Sequence, residues 1–308
     1  MRRRVLIAVL TAAALLVGGC SGGDDEPSVE PTAGAGVAYP VTVGKLTLNQ
    51  RPERIVSLSA TATEMLFAIG AGQQVTAVDE VSNYPADAPK TDLSGFKPNA
   101  EVIAAKNPDL VVLSDDLNKI VDQLGALKIP VFQTPAATDL GKTYTEIDEL
   151  GRLTGHTSEA AALTEQMKAE IDKIVKSVPA RTAPLSYYYE LDPTLYTVTS
   201  KTFIGSIFGL FGMTNVADAA DPDGSKGGYP QLSQEALVKA NPDMIFLADT
   251  KCCKQSAATV AARTGWSQLT AVKSAQVVAL DDDVASRWGP RVVDLVQSVA
   301  DAVAKVPA

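Results

Sequence analysis

Glu101-Val-Ile-Ala-Ala-Lys-Asn-Pro-Asp-Leu-Val-Val-Leu-Ser-Asp115 returns 134 residues later as Glu235-Ala-Leu-Val-Lys-Ala-Asn-Pro-Asp-Met-Ile-Phe-Leu-Ala-Asp249, without a gap and with six of fifteen positions identical. Each copy reads as a short helix opening at the glutamate and an Asn-Pro-Asp turn that stops it, because proline cannot continue a helix. A buried strand follows, with an acidic residue at its C-terminal end. Two lobes of similar construction are therefore expected.

Working outward, short β-rich runs alternate with helix-patterned segments. Strands are expected at Ile55 to Leu58, Leu110 to Leu113, Val131-Phe132, Leu185 to Glu190, Met244 to Leu247 and Gln276 to Leu280. Helices are expected at Thr61 to Ile69, Leu117 to Leu127, Thr202 to Phe211 and Arg291 to Ala304. Alternation of this kind indicates α/β layers with mostly parallel sheets. Between the copies, Leu163, Met167, Ile171, Ile174 and Val178 recur at three- and four-residue spacing, and no Gly or Pro interrupts the run before Pro179. A helix of that length, at about 1.5 Å per residue, is a rod as long as a small domain is wide. The fold class is thus α/β: two α/β lobes with mostly parallel sheets, joined by one long rigid α-helix. The boundaries are an N-terminal lobe over 39–156, a connector over 157–179 and a C-terminal lobe over 180–308.

The N-terminal end carries an address. Arg2, Arg3 and Arg4 precede an uncharged apolar stretch, Val5 to Val17, too short to span a bilayer as a mature helix, so residues 1–19 read as a signal peptide. Val17-Gly18-Gly19-Cys20 resembles a bacterial lipobox, in which Cys20 becomes the lipidated first residue; an ordinary secretory signal cleaved nearby is the alternative. The Gly-, Pro- and acid-rich residues that follow Cys20, to about 38, suit a disordered tether. Loss of the leader changes the net charge from −9 to −12, with 24 basic residues facing 36 acidic ones. That balance gathers no phosphates, so nucleic acid is not an expected partner. A single His excludes a His-rich zinc or copper site. The folded part is expected to be extracytoplasmic, a monomer held at the cell membrane by its lipid.

Ligands of α/β sheets sit outside the carboxyl ends of the strands. The loops there run over residues 57–61, 92–98, 114–118, 197–202, 227–229 and 281–290. They supply Ser59, Phe96, Ser114, Lys201, Tyr229, Asp283, Arg287 and Trp288 as candidate ligand-binding residues. Aromatic faces with a few charges suit a large, partly flat, partly polar ligand.

Arg51-Pro-Glu-Arg-Ile-Val-Ser-Leu, Thr63-Glu64-Met-Leu-Phe-Ala-Ile-Gly70, Ser82-Asn-Tyr-Pro85, Asn99-Ala-Glu101, Asn107-Pro-Asp-Leu-Val-Val, Thr154-Gly155 and Arg287-Trp-Gly-Pro-Arg291 occur in this order. Over residues 51 to about 305 the chain resembles the substrate-binding proteins of iron-siderophore, haem and vitamin B12 ABC importers. The resemblance implies two lobes on one rigid helix, and delivery of a metal chelate to a permease dimer with a cytoplasmic ATPase. It implies no resident cofactor and no catalysis. It also gives Glu101 and Glu235 a role, one on each lobe, pairing with arginines of the permease; acids complementing helix dipoles would explain them too. Tyr229-Pro230 matches an aromatic position of the vitamin B12 binders, and Asp283 with Arg287 resembles their polar pair. Two further aromatic positions fall here on Val81 and Gly95, with Phe96 adjacent. A catecholate siderophore would use Lys97, Lys201, Lys226, Arg287 and Arg291, and haem an axial ligand such as Tyr229.

Other residues have plainer readings. His156 reads as a surface or capping residue at the start of the connector. Cys252-Cys253 are candidates for a strained vicinal disulfide, with free thiols or metal ligation as alternatives. Asp281-Asp282-Asp283 lacks the calcium-loop spacing and reads as a solvated turn with Asp283 reaching inward. An anchored α/β hydrolase is the other class considered; it would need a base beside Ser59 or Ser114, and the single His lies elsewhere.

Overall fold

The structure is a computed structural model that describes residues 38–307. The signal peptide and Cys20 lie outside the described residues. In chain order the elements are β1 (Val41–Val43), β2 (Leu46–Leu48), β3 (Ile55–Leu58), α1 (Ala60–Ala68), β4 (Val75–Val78), α2 (Ala100–Ala104), β5 (Leu110–Leu113), α3 (Ile120–Ala126), β6 (Val131–Gln133), α4 (Leu140–Thr154) and α5 (Thr157–Ser177). The second half holds β7 (Ser186–Glu190), α6 (Phe203–Gly209), β8 (Thr214–Asn215), α7 (Gln234–Ala240), β9 (Met244–Leu247), α8 (Ala257–Ala261), α9 (Thr270–Lys273), β10 (Val277–Ala279), α10 (Asp282–Ala285) and α11 (Val292–Ala304).

Beyond a short β1-β2 hairpin there are two four-stranded sheets, ordered β4-β3-β5-β6 and β8-β7-β9-β10, and every pairing within them is parallel. The two orders are the same topology twice. The repeated motif does the same work in both lobes. Asn99 and Ser233 cap the short helices, accepting from Glu101 N at 3.0 Å and Ala236 N at 3.1 Å. Each helix thus opens one residue before its glutamate, at Ala100 and Gln234. Asn107 and Asn241 take left-handed backbone, with φ 53° and 46°, which asparagine tolerates better than most residues. The following Asp then fastens the turn to the start of the adjacent strand: Asp109 Oδ1 accepts Arg54 N at 2.8 Å, and Asp243 Oδ2 accepts Ser186 N at 2.8 Å.

Parallel strands covered on both faces read as unbroken apolar runs. Leu110–Leu113 and Met244–Leu247 are buried throughout, with alternate residues serving different cores. Leu110, Val112, Met244 and Phe246 face one core that runs through both lobes; Val111 and Leu113 face an outer core of the first lobe, and Ile245 and Leu247 one of the second. Tyr187 and Tyr189 join the shared core, while Tyr188 packs outside beside Trp266.

Helix α5 is the expected connector. Ala160, Met167 and Ile171 are buried in the shared core, with Leu163 and Ile174 packed against it. Gly155, with φ 81°, ends α4 in the left-handed conformation, and Arg51 Nε would lie 3.2 Å from any Cβ there. Helix α4 folds back along α5, and α11 lies on α5 with Val292, Leu295, Val296, Val299 and Val303 in the same core. One departure from expectation is the helix over 117–127: Leu117–Lys119 is a tight turn with Asn118 and Lys119 at φ near 58° and 57°, and α3 starts only at Ile120. The turn is pinned instead by Asp116, whose Oδ1 accepts Val121 N at 2.9 Å.

Candidate ligand-binding cleft

A cavity of about 450 Å³ opens at the carboxyl ends of β3, β4 and β5 and is closed on the other side by the segment after β10. Ser59, Phe96, Ser114, Asp283, Arg287 and Trp288 all line it, with Asp79, Val81, Gly95, Asp115 and Leu117 among the rest. The volume falls in the usual ligand-pocket range of about 300–1,000 Å³.

Six of the eight predicted ligand residues are thus brought together, but their side chains differ in availability. Ser59 is the N-cap of α1, accepting from Ala62 N at 3.3 Å and from Ser114 Oγ at 2.8 Å. Beneath it a chain of hydroxyls runs from Ser57 through Thr63 to Ser82, with 2.9 Å at each link, and ends on Asp79 at 2.5 Å. Burial holds the Asp79 carboxyl above the usual carboxylate range, against the pull of the Ser82 hydroxyl. Phe96 is 69% exposed, a free aromatic face over the cavity.

Gly95 explains why the aromatic sits at Phe96. A Cβ on Gly95 would lie 2.7 Å from both Asp79 Oδ2 and the carbonyl oxygen of Leu58, so no side chain fits there. Gly95→Ala should cost about 1–3 kcal/mol, because the backbone of β3 must move, and should narrow the cavity. Urea unfolding checks this; an unchanged midpoint would mean that the loop shifts freely.

Arg287 is a clamp between lobes. It is 9% exposed and contacts Glu64 Oε1 at 2.7 Å, Asn83 Oδ1 at 2.9 Å, the Val81 carbonyl at 3.0 Å and Asp283 Oδ1 at 3.1 Å. Arg291 grips the same Glu64 with bonds of 2.6 and 3.0 Å and lies 4.3 Å from the Tyr84 ring centroid. Asp283 takes further bonds from Asn83 at 3.1 Å and Lys251 at 2.7 Å. These partners hold its carboxyl below the ordinary value despite partial burial.

Trp288 donates its indole N–H to Glu146 Oε2 at 3.2 Å, joining the cavity wall to α4. Burial pushes the fully buried Glu146 up to about 7, against Lys142 and the Trp288 N–H. A carboxyl raised in the fold adds stability in its protonated form. That contribution is complete below the ordinary value of 4.5 and is lost as pH climbs to about 7. Glu146→Gln should remove this slope and leave the protein about 3 kcal/mol more resistant to urea at pH 8 than the parent. Unfolding curves between pH 4.5 and 8 test it; parallel profiles for the two proteins would refute it.

Lys201 and Tyr229 are not among the lining residues. Lys201 Nζ donates to the Pro222 carbonyl at 2.9 Å and Lys226 Nζ to that of Ala220 at 2.8 Å, so both lysines tie down a loop of the second lobe. Lys97 is exposed, and Tyr229 is half exposed. Glu101 and Glu235 stand exposed in the first turns of α2 and α7. Cys252 and Cys253 stand as free thiols in this structure, Cys252 exposed and Cys253 half-buried. Asp281 caps α10, bonding Asp283 N at 2.9 Å, so the acidic run is a structured turn. His156 precedes α5, bonds Arg51 and Gln74 at 2.8 and 3.1 Å, and is not among the residues lining the cavity with Ser59 and Ser114. Glu64, Asn83 and Glu146 carry no local signal as site residues, because the side chains they meet lie 142 to 223 residues away in sequence.

A family model for periplasmic binding proteins matches residues 55–284, which span both sheets and all of the cavity lining except Ser286, Arg287 and Trp288. The chain belongs to that family. Among relatives, the uncharacterized ABC transporter substrate-binding lipoprotein YvrC of Bacillus subtilis (strain 168) is 29% identical over 318 residues, covering 98% of each chain. A cobalamin-binding protein of Halobacterium salinarum (strain ATCC 29341 / DSM 671 / R1) is 30% identical over 290 residues, covering 90% of this chain and 77% of its own. The crystal structure of the periplasmic vitamin B12 binding protein BtuF of Vibrio cholerae superposes with TM-score 0.68 at 25% identity, over 82% of this chain and 96% of that one. The periplasmic binding protein assignment agrees with the resemblance read from the sequence and with the α/β fold.

Proposed function

We propose that this periplasmic binding protein is the extracytoplasmic substrate-binding component of an ABC importer. In this reading it performs no chemistry: it captures a metal chelate in the cleft, a cobalamin-type corrinoid before a ferric siderophore or haem, and passes it to a permease dimer driven by a cytoplasmic ATPase. Cys20 would carry the lipid that keeps it at the membrane.

The charge of the cavity carries the choice among chelates. Its lining holds Asp79, Asp115 and Asp283, the last paired with Lys251, against Arg287 alone, whose guanidinium is already engaged by Glu64. A polyanionic ferric catecholate would meet net negative charge there, with Lys201 and Lys226 bound to carbonyls elsewhere. Haem would find no His, Tyr, Met or Cys among the lining residues to serve as an axial ligand. A corrinoid, with little net charge and an edge of amides, suits hydroxyls and carboxylates beside the faces of Phe96 and Trp288. The cobalamin-binding relatives support the same choice.

Titration with cyanocobalamin, haemin and a ferric catecholate, read by Trp fluorescence, tests this. The chain has two Trp, and Trp266 is 1% exposed in the outer core of the second lobe, so Trp288 is the reporter. Cyanocobalamin should quench it saturably, and Trp288→Phe should abolish the response. A response to the catecholate alone would overturn the corrinoid assignment; silence with all three would overturn the binding role.

A further inference from the structure

We propose that Cys252 and Cys253 are a redox-modification site beside the cleft, which closes to a vicinal disulfide by exchange with an external disulfide and loosens the turn fastened by Asp282. The oxidising surroundings this needs rest on the extracytoplasmic reading above; the chemistry of the pair is independent of any ligand.

Both are free thiols, Cys252 exposed and Cys253 half-buried, and no other cysteine follows Cys20. Neighbouring Cα atoms are about 3.8 Å apart across a trans peptide, short of the span of about 4.4–6.8 Å that disulfides usually bridge. A bond between neighbours is therefore strained and readily reduced, as labile and regulatory disulfides are.

The surrounding turn is built so that closure has a consequence. Asp282 Oδ1 accepts Thr250 N at 2.9 Å and Thr250 Oγ1 at 2.7 Å; its Oδ2 accepts Lys251 N at 2.9 Å and Cys252 N at 3.0 Å. Cys253 N donates to the Asp249 carbonyl at 3.2 Å. The amide that precedes Cys252 and the amide of the Cys252–Cys253 peptide itself are thus held, and the ring formed on oxidation must rotate that peptide. From the same turn Lys251 Nζ reaches Asp281 at 2.6 Å and Asp283 at 2.7 Å, and Asp283 lines the cavity.

The exchange balances simply. The sulfur of Cys252, as thiolate, attacks one sulfur of the external disulfide and releases the first thiolate; Cys253 then displaces the second and completes the internal bond. Two protein thiols lose two protons and two electrons, and the external disulfide leaves as two thiols. Desolvation, a hydrogen bond shared with Cys253 and the carboxylates of Asp282 and Asp249 push the Cys252 thiol up to about 12, so its thiolate is scarce at neutral pH and exchange should be slow there and quicken as pH rises.

Incubation of the full chain with oxidised glutathione, followed by alkylation and peptide mapping, decides the matter. The peptide with both cysteines should lose two hydrogens, take no alkyl group, and regain both thiols with dithiothreitol. Amide hydrogen exchange at Lys251 and Cys252 should rise about fivefold on closure, the loss of one ordinary hydrogen bond at each. Cys253→Ser should stop at the mixed disulfide on Cys252, without the rise. Two alkylatable thiols after oxidation, accumulation of mixed disulfides or linked dimers in the parent, or unchanged exchange in the closed form would each overturn the proposal. None of these readouts requires the cleft to bind anything, so a failed chelate titration leaves them intact.

Discussion

Glu64→Ala should destabilise the protein by about 3–5 kcal/mol, the cost of removing one partner from a buried ionic cluster. Glu64 is 2% exposed, and the guanidinium groups of Arg287 and Arg291 both converge on its carboxylate. Without it, two positive charges of the second lobe that water barely reaches would stand side by side against the first lobe with no shared acid. Arg287 would keep Asp283, Asn83 and the Val81 carbonyl, which is why the expected loss is not larger. Urea unfolding at pH 7 measures it, and a loss below about 1 kcal/mol would mean that the shared apolar core holds the lobes without the clamp. Changing Glu64, Arg287 and Arg291 together to Leu, Met and Met should recover much of the stability, because apolar groups of similar volume often replace buried ion pairs at little cost. That triple variant would still lose the bonds from Arg287 to Asn83 and Asp283, and with them the shape of the cavity wall.

On the docking role that the family resemblance implies for Glu101 and Glu235, and which we propose for this chain, the double change Glu101→Ala and Glu235→Ala should abolish uptake while leaving chelate affinity and stability where they were. Both carboxylates stand exposed on short helices of opposite lobes, so the fold asks little of them. At an interface, breaking a buried charge pair costs about 2–5 kcal/mol, and two such losses weaken docking about a thousandfold or more. Exposed Val102 and Val238 stand on the same two helices and offer apolar contact beside the charges. Transport of labelled ligand in cells, set against fluorescence binding of the purified variant, separates docking from capture. Unaltered uptake would refute the docking role; an affinity loss would relocate the glutamates to the cleft.

Much of the fold was legible because its signals are local. The Asn-Pro-Asp turn, the apolar runs of β5 and β9 and the stripe along α5 each follow from sterics or periodicity within a few residues. The two sheets share their order because the two lobes repeat that local grammar. The cleft was legible in part. Its loops were found from strand ends, yet the roles of Arg287 and Asp283 were not, since their partners Glu64 and Asn83 lie about two hundred residues away in sequence. Its place in a strand-end loop and its charge made Lys201 a candidate ligand residue; in the structure its Nζ is bonded to the Pro222 carbonyl. At Asn118 and Lys119 helical propensity was overruled by the Asp116 carboxylate.

The repeated unit with which the sequence is best read also marks where reading stops. Its Asn-Pro-Asp residues act alike in both lobes, because capping, left-handed backbone and strand attachment are settled among near neighbours and one adjacent strand. Its closing acids do not. Asp115 is exposed and lines the cavity. Asp249, at the equivalent place, is fully buried, and desolvation together with Glu190 pushes it up to about 7. Sequence determined that each lobe would end this strand in a carboxylate. Only the packing of each lobe around that strand decided which carboxylate meets water and a ligand, because desolvation is a property of everything that surrounds a charge and is written in no single stretch of chain.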